Sequence, residues 1–175
     1  MRKIGAGFFV GLVVLGALPA AQASDVGFAS CGVGFGSQAV GAVASLNFSR
    51  GHLIYVLRAS TTSEFNLFGP SPDLSDTDYA AMIGKWAGAP RSFRSAAVGL
   101  SVVHSVRRGR IIEEPYWFSG GTYEKIDRVT VGLPVDLKAS LNLGPVGLGV
   151  NVFANLNPKG SFAGLAVTMQ VGKLR

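Results

Sequence analysis

Between Val129 and Leu143 every odd position is apolar: Val129, Val131, Leu133, Val135, Leu137, Ala139, Leu141 and Leu143. Every even position between them is polar, small or proline: Thr130, Gly132, Pro134, Asp136, Lys138, Ser140 and Asn142. A two-residue period places successive side chains on opposite faces of an extended strand, so this segment predicts a strand with one apolar face. The next two segments repeat it. Val146, Leu148, Val150, Val152, Ala154 and Leu156 oppose Gly147, Gly149, Asn151, Phe153 and Asn155, with Phe153 as the exception. Ala163, Leu165, Val167, Met169 and Val171 oppose Gly164, Ala166, Thr168, Gln170 and Gly172.

Upstream, the same period runs through Val40 to Phe48, with Val43 as the exception, through Leu53 to Ser60, and through Ala96 to Val102. Segments from Phe28 to Phe35 and from Thr77 to Trp86 bring the expected count to eight strands. Ser49 to Gly51, Ala87 to Ser92 and Asn142 to Pro145 read as short turns rich in Gly, Pro or Asn. Asn66 to Asp76 and Arg108 to Ile126 read as long polar loops. With the N-terminus on a near side, these three short turns fall on that side and both long loops on the far one.

Eight alternating antiparallel strands suit a soluble or a membrane-embedded up-and-down barrel. The apolar face decides between them. A small soluble barrel puts bulky apolar residues inside and charges outside. Here one face is Val, Leu, Ala and Met almost without charge, and the other mixes Gly, Ser, Thr and Asn with a few charges, as expected of a transmembrane barrel. The 13 residues from Val129 to Leu141 would extend about 43 Å, enough to cross a hydrocarbon layer ~30 Å thick when tilted. The expected fold is therefore all-β, an eight-stranded antiparallel up-and-down transmembrane barrel. Tyr55, Tyr79, Trp86 and Trp117 are the expected interfacial aromatics.

The chain begins with Arg2 and Lys3, an apolar run from Ile4 to Leu18, then Pro19 and the small-residue series to Ala23. This is the layout of a secretory signal peptide cleaved after Ala23. An uncleaved anchor is the competing reading, disfavoured by Pro19 and four glycines in the run. The expected division is a signal peptide over 1–23 and a barrel domain over 24–175. Phe28, Ala29 and Ser30 before Cys31 loosely resemble a lipidation site, but Ser24 and Asp25 separate Cys31 from the apolar run. One cysteine excludes a disulfide scaffold or Cys-cluster metal site, and two distant histidines make no metal site; no metal or cofactor is expected.

Arg58, Glu64, Asp78, Asp136 and Lys138 share the parity of the small and polar face, so they are expected inside. In so narrow a barrel they would form a space-filling polar network, with an ion-conducting lumen as the alternative. Arg107, Arg108 and Arg110 open the longest loop and are candidates for lipopolysaccharide phosphates, with a solvated rim as the alternative. His104 beside Ser105 suggests a lipid-modifying enzyme, yet neighbours on a strand face opposite sides, so no catalytic residue is assigned. Gly32, Gly34 and Gly36 alternate within a strand and do not form a phosphate loop.

The chain also resembles small, largely uncharacterised outer-membrane β-barrel proteins of Bacteroidota-type Gram-negative bacteria. The resemblance rests on Phe65-Asn66-Leu67-Phe68-Gly69-Pro70-Ser71-Pro72, the Asp78-to-Gly84 segment, and the stretch from Val131 to Arg175, with Phe153-Ala154-Asn155 and Ser161-Phe162-Ala163-Gly164. It implies an outer-membrane barrel and brings no activity with it. The terminal Lys173-Leu174-Arg175 departs from the aromatic ending of many such barrels. The function expected is a structural role or an interaction through loops 66–76 and 108–126. Partners would be outer-membrane lipids and, through the loops, lipopolysaccharide or an envelope protein, with a monomer as the working state and no role for nucleic acid.

Overall fold

The structure, a computed structural model, describes residues 26–65, 72–89, 91–114 and 121–173. The expected signal peptide, Trp117 and most of the Phe65–Pro72 motif lie outside the described residues. Eight strands follow in order: β1 (Gly27–Gly36), β2 (Ala39–Arg50), β3 (Leu53–Ser63), β4 (Ser75–Ala89), β5 (Ser92–Glu113), β6 (Thr122–Asn142), β7 (Val146–Leu156) and β8 (Phe162–Lys173). Each pairs antiparallel with its neighbours in sequence, and β1 pairs with β8 to close the barrel.

The register is staggered. Ladder partners lead from Gly27 through Phe48, Tyr55, Ile83, Val98, Val135, Ala154 and Ala163. The Ala163 carbonyl then accepts from the amide of Ser37, ten residues beyond the starting point on β1. A barrel with such a stagger must tilt its strands, by roughly 35–45°.

The alternation resolves as expected, with the apolar face outward. Val33, Leu100, Val131 and Val167 are each about 70% exposed, and comparable residues on the other strands complete an apolar belt. Inside lie Ser30, Asn47, Arg58, Asp78, Asp136, Asn151 and Gln170, all buried. Glycines let the wall close on its neighbours: a Cβ on Gly34 would run into the Leu165 carbonyl of β8.

The two pattern-breaking residues explain each other. Val43 and Phe153 both point inward and pack with Val103, Phe162 and Ala166 into an apolar layer across the far half of the lumen. A second apolar cluster, built on Phe28, Ile54, Val56, Met82 and Phe93, fills the near end.

Several sequence-based boundaries change. The loop expected from Arg108 to Ile126 is mostly strand, because β5 runs to Glu113 and β6 starts at Thr122. The pairing continues past a bulge between Arg108 and Glu113. The turn expected from Ala87 to Ser92 shrinks, since Ala89 pairs with Ser92. Trp86 is not an interfacial aromatic of the outer wall. It packs inside on Phe93, stacked at 5.8 Å, and its Nε1 donates to the Gly51 carbonyl at 2.8 Å. Tyr55 and Tyr79 do face outward and are exposed. Cys31 sits on the outward face of β1, laddered to Ala44 and Met169. Cleavage in front of it, as lipidation requires, would remove the buried Phe28 and Ser30 from the barrel.

Candidate functional site

The lumen holds a column of polar groups between its apolar layers. Strand parity aims Arg58 of β3, Asp78 of β4 and Asp136 of β6 at one level. The Arg58 guanidinium lies 2.7 Å from Asp78 Oδ2 and 3.4 Å from Asp136 Oδ2, and also donates to the Val135 carbonyl at 2.8 Å. Ser60 donates to the other oxygen of Asp78, and Asn155 Nδ2 adds a bond to Asp78 at 2.9 Å. All three ionic side chains are sealed from solvent. Taking such charges out of water costs several kcal/mol per ion, which only close pairing and added hydrogen bonds offset.

Lys138 occupies the next level toward the near end. Its Nζ donates to Ser45 at 2.8 Å, Asn47 at 3.0 Å and Ser30 at 3.2 Å, and lies 5.6 Å from the Phe28 ring centre. Three oxygen acceptors thus serve an ammonium that has three donors. The lumen at this depth is occupied by protein groups held in fixed geometry.

Toward the far mouth the grouping differs from the expected one. Glu64 is not part of the Arg58 network; it stands at the rim and pairs with Arg108. Arg107 pairs with buried Asp76 at 2.7 Å, and Asp76 also accepts from Ser105 at 2.6 Å. Arg107, Arg108 and Arg110 lie on β5 and do not open a loop; the first two are engaged by carboxylates of their own barrel, whereas Arg110 is exposed. Asp76 was hidden from sequence reasoning by the loop assigned over it. Its spacing of two from Asp78 was the available signal, since it gives both the same inward parity.

His104 and Ser105 face opposite sides, as adjacent strand residues must. His104 Nε2 is on the outer wall 3.4 Å from Asp127, while Ser105 points into the lumen at Asp76. They do not assemble a nucleophile with its base.

The second feature is the β5–β6 hairpin. Its two strands remain paired from Ser92↔Leu141 up to Glu113↔Thr122. β7 pairs with β6 only from Leu133 to Asn142, and β4 reaches β5 only as far as Val106. The upper part is therefore a two-stranded ribbon running past the ladders of its described neighbours, and the β6 edge from Thr122 to Gly132 has no β7 ladder. Lys125 and Asp127 pair on it at 2.9 Å.

No protein-family model matches the chain, and no curated protein matches it. Among solved structures, it is similar to the crystal structure of Neisserial surface protein A, with a TM-score of 0.56 over 83% of this chain and 94% of that one. The identity is 14%, so the likeness is one of fold: an eight-stranded closed antiparallel barrel.

Proposed function

We propose that the chain is an integral, monomeric outer-membrane protein whose barrel anchors the β5–β6 ribbon at the cell surface as an interaction element. The apolar outer wall supports the membrane reading, because a continuous apolar band on a barrel with a polar interior is stable only in hydrocarbon. The observation that carries the interaction role is the ribbon itself, a paired hairpin outrunning its neighbours with an open β6 edge. Such an edge offers backbone donors and acceptors to an added strand. Exposed Arg110 and Arg128 add positive charge suited to lipopolysaccharide phosphates or to an acidic envelope protein. The likeness to Bacteroidota-type barrels rests on the sequence motifs alone and adds no activity.

Orientation tests this reading. In a Cys31→Ser background, Arg110→Cys should react with a membrane-impermeant maleimide on intact cells, and Gly51→Cys only after the outer membrane is permeabilised. The reverse pattern, or protein recovered in the soluble fraction without detergent, would refute it.

A further inference from the structure

On the outer wall near the short turns, a groove of about 420 Å³ runs across β5, β6 and β7. Its floor is Ala139, a small residue between Leu137 and Leu141 on the outward face of β6. Ala139 is laddered on one side to Arg94 and on the other to Val150. Leu141 and Leu148, themselves ladder partners, close the groove toward the rim. A shallow apolar groove therefore lies directly beside an exposed guanidinium.

Among the described residues, the charge at this end of the outer wall has one sign. Arg50, Lys85, Arg94 and Lys173 occupy near-end positions of the outward face, and Arg91 lies in the adjoining turn, all exposed. Every acidic residue among those described lies in the lumen or toward the far end: Glu64, Asp73, Asp76, Asp78, Glu113, Glu114, Glu124, Asp127 and Asp136. An apolar groove flanked by a cation near the end of the apolar belt matches a molecule with a chain at one end and a phosphate at the other.

We infer that this groove is a specific phospholipid site, with an acyl chain lying over Ala139 and the phosphate held by Arg94. The inference rests on the membrane reading above, which puts the near rim at the phospholipid leaflet and away from lipopolysaccharide. Arg94 supplies a forked donor to the phosphate, and the Ala139 notch supplies the shape that separates this site from the other rim cations.

Native mass spectrometry of the full chain in detergent, titrated with phosphatidylglycerol, tests it. The wild type should retain one lipid. Arg94→Gln should weaken retention about tenfold, the loss expected for a charge-assisted hydrogen bond. Ala139→Leu, which fills the notch, should weaken it similarly, and Arg50→Gln, on the same rim but three strands away, should leave it unchanged. Diacylglycerol and inorganic phosphate should not be retained, since each lacks half of the ligand. Equal losses in Arg94→Gln and Arg50→Gln, no effect of Ala139→Leu, or equal retention of diacylglycerol would overturn the site. Heat-modifiable migration of each variant confirms that it is folded. Failure of the membrane reading would appear separately, as protein soluble without detergent.

Discussion

Arg58 and Asp78, twenty residues apart in sequence, meet at 2.7 Å in the sealed centre of the lumen, with Asp136 on the other terminal nitrogen of the same guanidinium. One cation between two carboxylates makes the cluster asymmetric in its response to mutation. Arg58→Ala leaves two buried carboxylates facing each other and should destabilise the barrel by about 3–5 kcal/mol. Replacing the triad together with the adjacent buried Lys138 by apolar residues of similar volume, as in Arg58→Met with Asp78→Leu, Asp136→Leu and Lys138→Met, should cost far less, because two charges of each sign leave together and none stays uncompensated. Urea titration in lipid vesicles, followed by heat-modifiable migration, measures both. A quadruple variant as unstable as Arg58→Ala would show that the cluster acts through something other than charge balance.

The same packing bears on conduction. Arg58, Asp78, Asp136 and Lys138 are buried, and the Phe153 and Phe28 layers lie beside them. An eight-stranded barrel is just wide enough for its own side chains to fill it. Planar bilayers containing the purified protein should show no steady ohmic current. A reproducible unitary conductance abolished by Arg58→Ala would instead establish the pore reading.

Gly164 of β8 owes its identity to Phe153 of β7, its ladder partner. A Cβ at Gly164 would run into the tip of the Phe153 ring, and that ring is wholly buried. Gly164→Ala should therefore cost roughly 1–3 kcal/mol through overpacking. Adding Phe153→Leu should recover part of the loss, although Phe153→Leu alone destabilises. A double-mutant cycle on unfolding midpoints checks the coupling, and strict additivity would show that the ring and the glycine do not compete for space.

Most of the barrel was legible because its two faces differ in chemistry and the strand period is fixed at two. From Val146 to Val171 the alternation alone assigned strand, face and order. Arg58, Asp78, Asp136 and Lys138 followed from parity. What parity cannot give is height: Glu64 shares the inward face but stands at the rim, and only the folded barrel, with β4 between β3 and β5, brings it to Arg108. Nor could the period reveal that β5 and β6 continue beyond the apolar belt. Above that point both faces are wet, the apolar alternation ceases, and Arg108 to Ile126 reads as loop although the strands there stay paired up to Glu113↔Thr122. Val43 and Phe153 looked like errors in the pattern for a related reason. Two apolar residues inside a polar lumen make sense only once they are known to touch the same layer.

Trp86 separates the two possible fates of an aromatic near a strand end. Its inward parity on β4, its stacking on Phe93 and its bond to the Gly51 carbonyl put the indole inside the near mouth and away from the outer wall. The chain has two tryptophans, so Trp117→Phe leaves Trp86 as the sole indole emitter. In vesicles containing brominated phospholipids its fluorescence should be weakly quenched. Tyr79→Trp, placed outward in a Trp86→Phe and Trp117→Phe background, should be strongly quenched. Trp86→Phe should also lower stability by about 1 kcal/mol through loss of one hydrogen bond. Quenching of Trp86 as strong as that of the outward tryptophan would return it to the lipid interface and remove the near-end plug from the fold.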